Sequence, residues 1–409
     1  MRRWGRTLVV VASLLALVVG VAERSGAATP LVVPHLTVQL LGPVFSQAEA
    51  DRAFTVQRDD GLSAPVSGGR VLWVFGDSAV DGPATTNPPH PRAFITGSSA
   101  LFGPVQPLTA PYHLYELHLG QPLSWSAGPA QFLPTPTDTF LDDGSGQSCT
   151  NPPAAYPARW GTGLIPLPGT SSVLETYLLA CVYTGTVFPI EGWGYAIIDL
   201  AHRVVSSGPN DVVVPSSANP ILPRLAQWGS PVLDPDGTIH LYASSCSAYA
   251  ASRCQAGVVE TIALPGGPAG LAAVASATPT PVLAVGGFTP LDNTVKAWPA
   301  SPHGPRQLLD LEKVSHDGVI RLLVGSNPQG PFTPVGEFQL PGCVAHPNTT
   351  DLGFIPPECY AIVAHPEYSS PTRLFVTYYL QDARWKGRAL GNHLMAVTVS
   401  LKPGVLHPA

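Results

Sequence analysis

The sequence predicts an all-β fold, a five-bladed β-propeller with Pro-rich loop insertions, and three observations carry that prediction. Forty glycines and 46 prolines interrupt the chain so often that few windows long enough for a helix survive, while Val, Thr, Tyr and Leu collect in short runs. A strand–turn–strand unit recurs five times, starting at Arg58, Arg159, Gln227, Leu309 and Glu358. Ahead of the first unit, the run Leu36-Thr37-Val38-Gln39-Leu40-Leu41 would supply a strand able to close a ring. Sheets that cannot each bury both faces pack radially, which makes a propeller. A β-sandwich followed by a second domain is the competing arrangement.

Taken in order, the chain opens with Arg2, Arg3 and Arg6, an apolar run from Thr7 to Ala22, and Ser25-Gly26-Ala27-Ala28. That is the layout of a secretory signal over residues 1–28, and it predicts a secreted, extracellular protein. The apolar run is shorter than the roughly 20 residues of a membrane span, so a retained anchor is the weaker reading and no membrane association is expected after cleavage. Residues 29–403 would form the propeller, as a monomer, and 404–409 a tail. With 12% charged residues and a net charge of −6 there is no basic footprint for nucleic acid or anionic lipid. The six cysteines are an even set suited to disulfides. Short spacing favours Cys246–Cys254 and Cys343–Cys359, which leaves Cys149–Cys181. With no CxxC pair, zinc is disfavoured.

The first unit, RDDGLSAPVSGGRVLWVFGDS from Arg58 to Ser78, reads as a hairpin turning at Ser67-Gly68-Gly69. Antiparallel partners are then symmetrical about Gly68, which sets Asp59 opposite Asp77. Directly opposed residues share a face of the sheet, and like charges there repel. The units at Arg159 and Gln227 each contain a Trp-Gly pair, and the Asp-Gly turns at Asp236 and Asp317 match most closely. Third and fourth strands are visible at Gly194 to Asp199, Val258 to Ala263 and Val335 to Phe338. The Pro-rich segments 83–92, 104–112 and 128–158 read as loops or insertions, because proline cannot donate to a central ladder.

The first strand of every propeller blade lines the central channel, so Asp59, Trp160, Trp228, Asp310 and Glu358 would converge on one mouth. Indoles stack on sugar C–H faces and carboxylates bind hydroxyls, so the expected partner is a polysaccharide or oligosaccharide. Trp160, Trp228, Asp310 and Glu358 are candidate substrate-binding residues, with Arg58 beside them. Asp59 and Asp77 are the candidate catalytic pair, since glycoside hydrolysis commonly uses one protonated and one ionised carboxyl group. Repulsion between them would keep one proton on the pair. His365-Pro366-Glu367 falls in the last unit's turn, away from the mouth, and reads as structural, with a role as a channel ligand the alternative. No cofactor is expected. A structural calcium or sodium ion is compatible with such a channel, although the chain has no EF-hand-type loop.

The run RDxGxS followed by GGRxLWVFGDS, the later WGSPVxDxDGTxHLY and the C-terminal AHPEYSSPTRLFVTYY resemble secreted actinobacterial propellers of DUF type, related to the endo-D-arabinanases and other furanoside-acting glycosidases. The resemblance is strongest over residues 55–80. It implies a five-bladed fold, hydrolysis of a furanose-containing polymer of arabinan type, and catalytic acids in the first-blade hairpin at Asp59 and Asp77. A non-catalytic carbohydrate-binding or cell-surface-binding propeller is the first alternative. The second arises because FGDSAVDG, Phe75 to Gly82, also resembles the first block of the GDSL esterases, with Ser78 as nucleophile and Gly208-Pro209-Asn210-Asp211 like their oxyanion block. Those enzymes take their base from a downstream Asp-x-x-His. Here the spacing occurs only at Asp199 and His202, ahead of that block.

Overall fold

Each tight turn joins two antiparallel strands, and in the computed structural model these hairpins are gathered into five four-stranded sheets. The structure describes residues 33–44, 56–81, 91–95, 97–105, 114–121, 129–134, 155–183, 190–213, 231–244, 259–288, 292–298, 306–315, 317–343, 359–385 and 388–407. All belong to one unit, Val33–Ala409. The expected secretion signal, Trp228 and Glu358 lie outside the described residues.

Blade 1 runs outward as Leu62–Val66, Arg70–Phe75, Ser99–Pro104 and Tyr115–Glu116, and blade 2 as Ala155–Pro166, Ser172–Tyr183, Ile190–Asp199 and Val204–Val213. Blade 3 comprises Val232–Leu233, Ile239–Ser244, Val259–Leu264 and Thr280–Pro281, and blade 4 comprises Asp292–Trp298, Gln307–Lys313, Val319–Gly325 and Thr333–Gln339. Blade 5 takes Cys359–Ala364, Arg373–Trp385 and Arg388–Ser400 from the end of the chain. Its outermost strand is Val38–Pro43, from the beginning. This pairing closes the ring and is the role expected of the N-terminal run.

Strand alternation explains why the sheets stack as blades. Along Ser172–Tyr183, Val173, Tyr177 and Leu179 pack against Leu62, Leu72 and Val74 of blade 1, while Leu174 and Leu178 pack against Ile239 and Leu241 of blade 3. Both faces are therefore apolar, as a strand covered on both sides requires. Five such clusters fill the five blade interfaces, the last joining Phe375, Leu394 and Ala396 to Val71, Trp73 and Phe75. Each side chain buried this way contributes about 1.5–3 kcal/mol.

Two expectations are corrected. The unit starting at Leu309 supplies the second and third strands of blade 4, and the innermost is Asp292–Trp298. The Asp-Gly turns at Asp236 and Asp317 are alike, yet the first joins strands one and two of its blade and the second joins strands two and three. A tight turn encodes its own geometry and not its rank in the sheet. The segment 128–158 is also more than loop: Phe132 and Leu133 are buried in the interface of blades 1 and 2, and the innermost strand of blade 2 begins at Ala155. Of the predicted disulfides, Cys343–Cys359 is formed and links blades 4 and 5. The other two pairings involve cysteines outside the described residues.

Candidate active site at the channel mouth

The first hairpin has the predicted register. Leu62 pairs with Val74 and Val66 with Arg70, symmetrically about Gly68, and the turn glycines Gly68 and Gly69 carry φ of 77° and 66°, which a side chain would resist. The same symmetry resumes beyond the blade, where Arg58 pairs with Ser78 and Val56 with Val80. Those outer pairs belong to a separate three-stranded sheet, Val56–Arg58, Ser78–Asp81 and Pro91–Ile95, which the sequence did not suggest. Between the two sheets the chain turns a corner at Asp59, Asp60 and Gly61, with Asp60 at a φ of 64°. The Asp59 N–H donates to the Asp77 carbonyl at 3.4 Å and the Gly76 N–H to the Asp59 carbonyl at 3.1 Å, so Asp59 stays opposite Asp77 through the corner. A Cβ on Gly76 would run into Asp59 Oδ1 and Asp60 Oδ2, so glycine there leaves room for both carboxyl groups.

Three blades meet at this corner. Tyr360, second residue of blade 5's innermost strand, donates its hydroxyl to Asp59 Oδ2 at 3.2 Å. Trp160, on the innermost strand of blade 2, donates its indole N–H to Asp77 Oδ1 at 3.1 Å, and the Gly97 N–H donates to the same oxygen at 2.8 Å. Asp59, Asp60, Asp77, Trp160 and Tyr360 are all half-buried. Burial, reinforced by the charges of Asp60 and Asp77, pushes the Asp59 carboxyl well above the usual carboxylate range, against the opposing pull of the Tyr360 hydrogen bond. Its Oδ1 is buried and has no hydrogen-bond partner among the described residues. Tyr360 is itself pushed up, first by burial and then by the Asp59 charge, so it acts as a neutral donor.

The remaining predicted residues are elsewhere. Arg58 is 4% exposed, forms an ion pair with the buried Glu116 and lies 5.2 Å over the Phe75 ring. Asp310 is 1% exposed on blade 4's second strand, facing blade 3 instead of opening an innermost strand at the mouth. Both placements correct the expectation of a shared opening: Glu116 and Phe75 of blade 1 cover Arg58, and blade 3 covers Asp310. Ser78 is fully buried and hydrogen-bonded to Ser99 Oγ at 2.7 Å. His202 pairs with Asp199 at 2.7 Å on an exposed turn of blade 2, and Gly208 to Asp211 lie in that blade's outermost strand. The esterase constellation is therefore not assembled, and the all-β fold excludes its three-layer architecture.

At the junction of blades 1, 4 and 5 the side chains lock together. His365, fully buried, faces Ser63 Oγ with Nδ1 and Thr377 Oγ1 with Nε2, the latter at 2.7 Å, and stacks on Trp73 with ring centroids 4.6 Å apart. Glu367 accepts from Ser63, and Lys296 of blade 4 donates to the Ser63 carbonyl at 3.4 Å. Burial lowers His365, and it lowers Lys296 to about 8. Although Ser, His and Glu meet here, the carboxylate sits on the serine's side of the imidazole, so this is not a nucleophile relay. It ties blades 1, 4 and 5 together, in keeping with the structural reading of His365-Pro366-Glu367. Among the described residues no group of three or more His, Cys, Asp or Glu side chains is arranged to hold a metal ion.

Sequence reasoning missed Asp60, Tyr360 and Glu175. Tyr360 follows Glu358 by two residues and was within reach of the blade-start rule. Glu175 carried no signal, because it interrupts an apolar strand: it is fully buried, with Leu62 and Val74 converging beside it over Gly161, and burial raises its carboxyl to about 8 despite the Arg159 charge.

No protein-family model and no curated protein sequence matches the chain. Among solved structures, the fold is similar to a GH43 β-xylosidase/α-arabinofuranosidase from a compost microbial metagenome, with 11% identity, a TM-score of 0.44, and coverage of 91% of this chain and 100% of that one. It is also similar to a GH43 enzyme from Xanthomonas citri, at 10% identity, 87% and 89% coverage and a TM-score of 0.41. A family 117 glycoside hydrolase from Zobellia galactanivorans matches at 10% identity, 92% and 93% coverage and a TM-score of 0.41.

Proposed function

We propose that the corner of the first hairpin is the active centre of a secreted glycoside hydrolase acting on a furanose-containing polysaccharide of arabinan type. The observation that supports this most is the opposition of Asp59 and Asp77 in two different environments. Burial and two neighbouring carboxylates favour a proton on Asp59, whereas Asp77 accepts two N–H donors at Oδ1. In this reading Asp59 gives its proton to the leaving glycosidic oxygen as the C–O bond breaks. Asp77 takes a proton from the water that adds to the anomeric carbon, or attacks that carbon itself. Trp160 offers a wall for stacking while orienting Asp77, and Tyr360 orients Asp59. The choice of a furanose polymer rests on the sequence resemblance, and export rests on the N-terminal pattern.

A second reading, binding without turnover, is favoured by the burial of Asp59 Oδ1, which leaves less of that carboxyl open to a glycosidic oxygen. Reducing-sugar release from arabinan and arabinogalactan separates the two. Release by the native chain that is lost in both Asp59→Asn and Asp77→Asn supports catalysis at this pair. Release that persists in both variants places the chemistry elsewhere, and saturable binding with no release favours the second reading.

A further inference from the structure

Tyr360, which meets Asp59 at the channel mouth, sits at an irregularity in the innermost strand of blade 5. Cys359 pairs with Leu380 and Tyr360 with Tyr379, but the ladder resumes one residue out of step at Val363 and Thr377. Ala361 and Ile362 therefore stand against Tyr378 alone, which makes a β-bulge, and bulges re-aim the side chains beside them. Ala361 has a φ of 51°, in the left-handed region that an alanine Cβ resists. Among the described residues three other than glycine take such a φ, and two of them, Asp60 and Ala361, adjoin the partners of the Asp59–Tyr360 hydrogen bond. Strain of this kind persists only where the surroundings impose it.

Blade 4 supplies what imposes it. Its innermost strand donates the Thr294 hydroxyl to the Ile362 carbonyl at 2.6 Å, inside the bulge. Its second strand donates the Lys313 ammonium to the carbonyl of Cys359, the residue before Tyr360. The same Cys359 is bonded to Cys343, which lies just beyond blade 4's outermost strand. Thr294, Lys313 and Cys359 are all buried, so these hydrogen bonds act where water does not compete for them. We infer that Thr294 and Lys313, aided by the disulfide, are positioning residues: blade 4 fixes the bulge that sets the Tyr360 hydroxyl on Asp59. The consequence for catalysis rests on the active centre proposed above, whereas the positioning itself does not. Asp59 is faced by Asp60 and Asp77 as well as by Tyr360, behind which Tyr379 stands with ring centroids 4.7 Å apart. Arg58, next in sequence, is turned to Glu116. Burial and the two carboxylates raise Asp59, and the Tyr360 hydrogen bond lowers it. A Tyr360 that loses its place therefore leaves Asp59 holding its proton to higher pH.

Carbon-13 NMR of the aspartate carboxyl carbons, with Asp59 identified by the signal lost in Asp59→Asn, reads this titration in the full chain whether or not sugar is released. Tyr360→Phe should move the Asp59 midpoint up by about one pH unit. Thr294→Val, which keeps the shape and removes the hydroxyl, should move it up by about half as much or more, and Thr294→Ser should restore the native value. Lys313→Met should move it up too, and neither Thr294→Val nor Lys313→Met should add to the shift in the Tyr360→Phe background. The basic limb of kcat/KM on arabinan should follow the carboxyl. A native Asp59 midpoint in Thr294→Val, with the fold intact by circular dichroism, overturns the inference. So does a shift that persists undiminished in the Tyr360→Phe background, since it would not pass through the tyrosine. Should Thr294→Val fail to fold, Lys313→Met decides by the same two readings. A native chain that shows these shifts but releases no sugar defeats the catalytic proposal and leaves the positioning standing.

Discussion

Replacing Glu175 by glutamine should make the protein more stable, increasingly so as the pH rises. Glu175 is fully exposed to solvent in the unfolded chain but wholly enclosed between blades 1 and 2, where neither oxygen has a hydrogen-bond partner among the described residues. Burial lifts its carboxyl from 4.5 to about 8, with Arg159 offsetting only part of that. Between those values the folded chain holds a proton that the unfolded chain has released, so stability is fully present below about pH 4.5 and declines as pH rises toward about 8. Each pH unit costs about 1.4 kcal/mol, which amounts to about 3 kcal/mol at pH 7 and levels off near roughly 5 kcal/mol above pH 8. Glutamine matches the neutral acid in shape and does not ionise. Urea unfolding of both proteins at pH 5, 7 and 9 should give midpoints that nearly coincide at pH 5 and then diverge, with Glu175→Gln the more stable. Asp59 and Asp310 titrate in both proteins and cancel in the difference. Parallel pH profiles, or a glutamine variant less stable at pH 9, would refute the account of a desolvated, unpartnered carboxyl.

The proposed pairing of acid and base predicts that Asp59→Asn and Asp77→Asn each lower kcat on arabinan by about 100-fold or more, measured as sugar release, while Ser78→Ala leaves it within a few fold. Because Asp59 must keep its proton, kcat/KM should fall as pH rises through its elevated pKa, and that basic limb should move in Tyr360→Phe, which removes the hydrogen bond favouring its ionised form. Gly76→Ala should abolish release with the fold preserved, checked by circular dichroism, since the added Cβ displaces both Asp59 and Asp60. Opening the Cys343–Cys359 bridge by a double serine substitution frees a 16-residue separation and should cost about 3 kcal/mol in urea unfolding. A loss much below 1 kcal/mol would mean the two blades hold this joint without it.

Much of the fold was legible because its signals are local. A glycine-rich turn dictates the register of the strands it joins, so Leu62 to Val74 pair as read and Asp59 comes opposite Asp77 through an unforeseen corner. Punctuation by glycine and proline separated the strands, and an unattached N-terminal strand asked for the ring closure that Val38–Pro43 provides. The rank of a hairpin within its blade was not legible, since the Asp-Gly turns at Asp236 and Asp317 have the same chemistry in different ranks. Nor was burial: Arg58 is covered by Phe75 of its own hairpin and by the distant Glu116, Asp310 by blade 3, and Glu175 by Leu62 and Val74 from more than 100 residues away. Strand register follows from steric rules acting over a few residues. Which carboxyl group is desolvated, and which meets a partner, depends on the packing of one sheet on the next, and it is that packing which separates the chemistry of Asp59 from that of Asp77.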